Sequence, residues 1–204
     1  MQEYLGGTMN RIGLLAASAL ICSLSTAAAA SETISYLYDA LGRMVASVAD
    51  SGPTAKATSM YRYDAANNRN YVGVVKADGT QIPVFRFQQN WRHFYTVDYL
   101  EGSNAGLQPE WIAFSLYPGG GSGLIALYRC YQSGSDDHFV SMSSTCEGQV
   151  QEGLMGYAHT TPGPGRRALY RFYKASIADH LITVDSSEGT SNGYTSEGIL
   201  GYVI

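Results

Sequence analysis

An arginine, a histidine and a glutamate recur three times in this chain, always in that order. The arginines are Arg86, Arg129 and Arg171, the histidines His93, His138 and His180, and the glutamates Glu101, Glu147 and Glu188. Such a set can do two kinds of chemistry. In an open groove, guanidinium and carboxylate hydrogen-bond the hydroxyls of a polar ligand, and a nearby Trp91 or Tyr95 supplies an apolar face. The residues that would face such a ligand are Trp91, His93, Tyr95, Glu101, His138 and His180. In a scaffold, each arginine reaches the glutamate of its own segment, pairing Arg86 with Glu101, Arg129 with Glu147 and Arg171 with Glu188, and each histidine donates to a backbone carbonyl. The scaffold reading is favoured. Threefold recurrence suits a structural device, and each arginine sits among apolar strand neighbours, where a charge needs a partner.

Other chemistries have less behind them. Three histidines meeting near an axis would ligate a metal, but no histidine stands at close ligand spacing from another, so neither metal nor cofactor is expected. There is no Gly-x-Ser-x-Gly elbow, no His-Glu-x-x-His and no phosphate loop. Asp137 and Asp179 precede His138 and His180, yet sequence neighbours on a strand point to opposite faces. Glu101 with Glu110, or Glu147 with Glu152, can be drawn as a glycosidase pair, although spacing alone says nothing about carboxylate separation. Trp91 stands apart. It lies in a polar turn beside Gln89, Asn90 and Arg92, where an exposed tryptophan marks a contact surface.

The elements that position these residues follow from a repeat of roughly 42 residues, a period of stacked equivalent units. Pro83-Val84-Phe85-Arg86-Phe87, Ala126-Leu127-Tyr128-Arg129-Cys130-Tyr131 and Ala168-Leu169-Tyr170-Arg171-Phe172-Tyr173 each read as a strand of period 2. The arginine shares a face with Val84, Leu127 or Leu169. A polar turn leads to a second strand, His93–Val97, His138–Met142 or His180–Val184, whose histidine shares a face with Tyr95, Val140 or Ile182. A glycine-containing stretch of about one helical turn follows, and then a third strand near residues 111–114, 154–157 and 199–202. Units at about 83–118, 124–162 and 166–204, divided by Gly/Pro-rich joints, suit an all-β, β-trefoil-like domain over 77–204. A three-bladed propeller is the rival.

Composition agrees with strands and turns. Charged residues make up 15%, the net charge is -4, and there are 23 glycines and 16 tyrosines, which is neither a disordered nor a nucleic-acid-binding balance. Residues 1–30 have the order of a secretory signal peptide: Arg11, the apolar run Ile12–Ile21, then small residues to Ala30. Met9 is an alternative start, and bulky Ile21 argues against lipidation at Cys22. The run is too short to span a membrane. A secreted, periplasmic or surface location follows, and there Cys130 and Cys146 pair by default. Their register supports this. They take the places of Phe87 and Leu100 in the first unit, so an apolar contact can become a disulfide.

Residues 31–76 form a short hairpin segment of their own. Tyr36-Leu37-Tyr38-Asp39-Ala40-Leu41-Gly42-Arg43 is echoed by Tyr61-Arg62-Tyr63-Asp64-Ala65-Ala66-Asn67-Asn68-Arg69. This resembles the tyrosine-aspartate (YD, or Rhs-type) repeats of large bacterial surface and toxin-delivery proteins. Asp39 and Asp64 are expected to bond their own turns, with Gly42 and Asn67 at positive φ. Those relatives wind many copies into a shell, and two copies cannot enclose anything. The spelling Tyr-Arg-Phe-Tyr, His-Phe-Tyr-Thr, Glu and Glu-Gly over residues 83–204 resembles a bacterial and fungal repeat domain of uncharacterised function, often attached to secreted hydrolases and surface proteins. Its matching positions include Glu152-Gly153 and Glu197-Gly198. The first unit departs from it, with Glu110-Trp111 in place of Glu-Gly and a shorter arginine-to-histidine gap.

The expected function is that of an exported, non-catalytic binding module for extracellular or cell-surface carbohydrate. That ligand class rests on fold-level analogy. A structural or interaction fragment of an Rhs-like surface protein is the alternative, and a hydrolase comes third.

Overall fold

The computed structural model describes residues 31–51, 56–75 and 78–204. The signal-peptide reading of residues 1–30 lies outside them. The described chain is mostly β, with two short helices. Its first four strands, β1 (Ile34–Tyr38), β2 (Met44–Ala49), β3 (Thr58–Tyr63) and β4 (Arg69–Val75), form an antiparallel sheet in sequence order. Two turns of one design build its hairpins. Asp39 Oδ1 accepts the N–H groups of Leu41 and Arg43 at 3.0 and 2.9 Å, and Asp64 Oδ1 accepts those of Ala66 and Asn68 at 2.9 and 2.8 Å. Gly42 and Asn67 take the left-handed position, φ 75° and 66°, that such turns require.

Three successive segments follow, each a strand, a second strand, a short helical turn and a third strand. They are β5 (Ile82–Gln89), β6 (Arg92–Thr96), α1 (Tyr99–Asn104) and β7 (Gln108–Leu116); β8 (Leu124–Gln132), β9 (Asp137–Ser141), a 3-10 turn (Cys146–Gly148) and β10 (Val150–His159); and β11 (Arg167–Lys174), β12 (Asp179–Thr183), α2 (Ser186–Ser191) and β13 (Thr195–Val203). The strands pair in the orders β6-β5-β7 and β12-β11-β13-β10-β8-β9. The third strands also meet one another at their C-terminal ends. Tyr117 and Tyr157 exchange two backbone bonds of 2.9 Å, Ser115 and Ile204 exchange bonds of 3.2 and 3.1 Å, and His159 is in register with Tyr202. The result is a nearly closed, barrel-like arrangement.

Corresponding residues of the three segments fill its centre. Val84, Leu127 and Leu169 come from the first strands, Tyr95, Val140 and Ile182 from the second, and Leu116, Ala158 and Val203 from the third. This is the face the period-2 reading assigned to the arginines and histidines. Tyr95, expected beside a ligand, is instead 1% exposed and part of this core. Its hydroxyl accepts the N–H of Ile182 at 2.8 Å.

The opposite faces of the first strands are covered in three different ways. Phe85 and Phe87 pack with Tyr99 against Ala46, Val48 and Met60 of the four-stranded sheet. Phe172 packs on α2, where a Cβ on Gly189 would stand 2.5 Å from its ring, as one on Gly102 would stand 2.6 Å from Phe87. The glycines after Glu101 and Glu188 therefore let a helical turn rest directly on a phenylalanine. In the second segment Cys130 and Cys146 are bonded instead.

Candidate functional site

The arginines sit on the seams between segments. Arg86 Nε donates to Glu110 on β7 at 2.6 Å, and its Nη2 donates to Glu188 on α2 of the third segment at 2.8 Å. Arg129 bonds Glu152 on β10 at 2.9 Å and makes a two-pronged contact with Glu101 of the first segment, 2.7 Å on each prong. Arg171 Nη1 bonds Glu147 of the second segment at 2.6 Å, and its Nε lies 2.9 Å from Glu197 without the angle for a hydrogen bond. Each arginine thus holds the third-strand glutamate of its own segment and the helical-turn glutamate of the segment before it, so the ion pairs run round a closed ring. This corrects the pairing within segments: Arg86 is not bonded to Glu101, nor Arg129 to Glu147, nor Arg171 to Glu188. The helical turn carries its glutamate off the parent hairpin and over the next seam. Thr96 and Ser141, at the ends of β6 and β9, hold Glu101 and Glu147 in place with their hydroxyls.

The electrostatics follow from these contacts. The hydrogen bonds from Arg129 and Arg171 hold the carboxyls of Glu101 and Glu147 below the usual range. Burial pushes Glu188 and Glu152 upward, but Arg86 and Thr183 for the first, and His138 and Arg129 for the second, outweigh it and hold both low. Burial disfavours the charge on Arg86, yet its surroundings, Glu188 and Glu110 among them, keep its pKa above the ordinary arginine value.

The histidines bond to carboxylates rather than to the backbone carbonyls expected, His93 and His180 across seams and His138 within its own segment. His93 Nδ1 is 2.7 Å from Asp179 Oδ2, and the Tyr194 hydroxyl donates to the same carboxylate at 2.6 Å. His180 Nδ1 is 2.5 Å from Asp137, with Glu197 3.3 Å from its other nitrogen. The aspartate before each histidine does face away from that histidine's side of its own strand, and so reaches the histidine of the next segment. Arg92 occupies the equivalent place before His93, so His138 finds no aspartate there and bonds Glu152 at 2.9 Å. His180 is buried between its two carboxylates, away from any ligand face. Glu101 and His138 line a second seam cleft of about 370 Å³ with Phe94 and Arg92.

The cleft on the seam between the third and first segments is about 570 Å³ and is lined by Arg86, Trp91, His93, Glu110, Glu188 and Tyr194, among others. Trp91 stands at its mouth, 75% exposed, with φ 69°. The equivalent turn residues Asp136 and Ala178 also have positive φ, 53° and 50°, so the turn imposes the conformation. A bulky aromatic is a poor local choice there, and it leaves most of its surface to solvent.

In the sequence Trp111 is visible only as a departure from the repeat. It pairs in register with Arg86, where Gly153 and Gly198 pair with Arg129 and Arg171. The Arg86 guanidinium lies 4.0 Å from its ring centroid, and Arg62 of β3 lies over the same ring at 5.5 Å. Under this cover Arg86 is 2% exposed, against 16% and 13% for Arg129 and Arg171. The signal for it was the glycine-to-tryptophan change itself. With two guanidiniums over Trp111, Trp91 is the free stacking surface of the cleft.

Residues 53–149 and 144–204 match a domain of unknown function (DUF5648). Comparison with curated proteins and with solved structures finds no match.

Proposed function

The chain belongs to the DUF5648 family, whose function is unknown, so its role has to be read from its own site, and we propose that it is an exported, non-catalytic module that binds extracellular or cell-surface carbohydrate. The observation that carries this reading is Trp91: an exposed indole, held in a conformation that suits it poorly, at the mouth of a cleft that sets carboxylates, an imidazole and amides beside apolar Ile177 and Leu181. An indole offers a flat apolar face to a sugar ring, and the polar walls offer partners to its hydroxyls. Export is supported by the Cys130–Cys146 disulfide. Among the described residues no helix is long and apolar enough to cross a membrane. The three segments are read as a β-trefoil-like body, an assignment supported by their shared core positions. Glycan-array screening followed by calorimetry tests the proposal. Wild type binds a saccharide, and Trp91→Ala loses binding without losing stability. Silence across the array would overturn it.

Glu188 is poorly suited to be the general acid of a hydrolase on this cleft. Glu188 is held below the usual range by Arg86, which is the opposite of what a general acid needs.

One observation favours the alternative of an interaction fragment of an Rhs-like surface protein. The outer face of the four-stranded sheet exposes Tyr36, Tyr38, Val72 and Val74, and among the described residues β1 and β4 are edges without a further strand. Another Rhs-type strand would extend such a sheet. Val74→Lys would abolish that association and leave saccharide binding intact.

A further inference from the structure

The three seams place their histidines at equivalent strand positions, and at two of them rings flank the histidine. His138 has Tyr131 at 4.8 Å and Phe94 at 4.9 Å between centroids. His180 has Tyr173 at 4.6 Å and Phe139 at 4.9 Å. At the places equivalent to Tyr131 and Tyr173 the first segment has Gln88, and at the place equivalent to Phe94 and Phe139 the third segment has Leu181. Both residues line the Trp91 cleft. The rings nearest His93 are Tyr194 and Tyr95, at 6.3 and 6.4 Å. The cleft that Gln88 and Leu181 line beside His93 has a volume of about 570 Å³. The seam between the third and first segments thus lacks the two rings that flank the histidine at the other seams, and it carries the exposed tryptophan.

We infer that the space beside His93 is a subsite for a flat pyranose ring of gluco configuration, which takes the place that aromatic side chains occupy in the two sister clefts. This rests on the carbohydrate reading above and specifies it. A pyranose with all its ring hydroxyls equatorial presents axial C–H bonds as a smooth apolar face, the nearest equivalent of the missing ring. An axial hydroxyl interrupts that face. The edges of the ring then meet Gln88, Asn192 and the carboxylates of Glu110 and Glu188. Those two carboxylates share the single guanidinium of Arg86 and so keep a net negative charge, while the Lys174 ammonium is held by the Asn192 carbonyl at 2.8 Å and lies over the Tyr194 ring. The walls therefore suit a neutral sugar better than a uronate, whose carboxylate would face Glu110 and Glu188. Trp91 at the mouth provides a second stacking point, so the ligand is an oligosaccharide lying across both.

The experiment is calorimetric titration of the full chain with cellotetraose and chitotetraose, and with β-1,4-linked mannotetraose and galactotetraose, whose rings carry an axial oxygen, a free hydroxyl in the first and the linkage oxygen in the second. Gluco-configured ligands are expected to bind at least tenfold more tightly. Gln88→Tyr, alone and combined with Leu181→Phe, rebuilds the sister-cleft clamp. It is expected to weaken binding at least tenfold while the melting temperature stays at the wild-type value. Should the double variant fail to fold, Gln88→Tyr alone gives the answer. Equal binding of axial sugars, or wild-type binding by the filled variants, overturns the subsite. If Trp91→Ala still abolishes binding in that case, the carbohydrate reading stands without it. If no saccharide of either configuration binds wild type, both fall.

Discussion

The guanidinium of Arg86 donates to Glu188, 102 residues further along the chain, at 2.8 Å. This bond closes the ring that Arg129–Glu101 and Arg171–Glu147 begin, and it joins the first segment to the last. It is also the best shielded of the three, because Trp111 lies over the arginine.

Shielding sets a ranking for arginine removal. Arg86→Ala leaves Glu110 and Glu188 facing each other in a mostly buried seam, and breaking such a pair costs about 3 kcal/mol or more. Arg171→Ala exposes Glu147, which already reaches water, and should cost clearly less. Urea unfolding of both variants checks the order. Equal losses would contradict the shielding argument.

Acid should loosen the ring. Glu101, Glu147, Glu152 and Glu188 all titrate below the ordinary carboxyl value of 4.5 in the folded chain. As pH falls the unfolded chain binds protons first. The stability from these pairs is therefore complete above about 4.5 and is lost as pH drops through the folded values. Urea midpoints at pH 6, 4 and 3 should fall steadily, and Glu101→Gln should flatten part of that slope.

The disulfide closes a loop of sequence separation 16. In the chain-entropy model a loop of this size contributes roughly 3 kcal/mol. Reduction, or the pair Cys130→Ser and Cys146→Ser, should lower the melting temperature. A variant that melts at the wild-type temperature would show that neighbouring contacts hold this hairpin unaided.

Gly102→Ala and Gly189→Ala each place a methyl group within 2.6 Å of a phenylalanine ring. Overpacking of this kind costs typically 1–3 kcal/mol. Gly134→Ala has open space around it and no positive φ, and serves as the neutral control in the same thermal melts.

Trp91→Gly should behave in the opposite sense. It relieves a left-handed aromatic and removes little contact, so stability should rise by about 0.5–1 kcal/mol while saccharide binding disappears. Stability gained with binding lost is the signature of a residue kept for its ligand. A destabilised variant would mean that the indole supports the fold.

Much of the architecture could be read from local pattern. Period-2 alternation placed Val84, Leu127 and Leu169 on the arginine face, and they are the core. The aspartates and left-handed residues of the two early turns followed from side-chain reach alone. The cysteine register did too, since the turn that follows the hairpin lies back over the first strand of its own segment and sets Cys146 against Cys130. All of these depend on neighbours within a few residues or directly across one hairpin.

The ion-pair partners were not available in that way. Spacing offered Glu101 to Arg86, and the folded chain gives Arg86 to Glu188 and Glu101 to Arg129. Only the closing of the barrel-like body decides which segment lies beside which, and a helical turn that leans over a seam carries its charge to a neighbour the sequence cannot name. The lack of flanking rings at one seam among three was decided in the same way. Gln88 and Leu181 look unexceptional in the chain, and they gain meaning because the tertiary structure sets both beside His93, where the sister clefts hold rings.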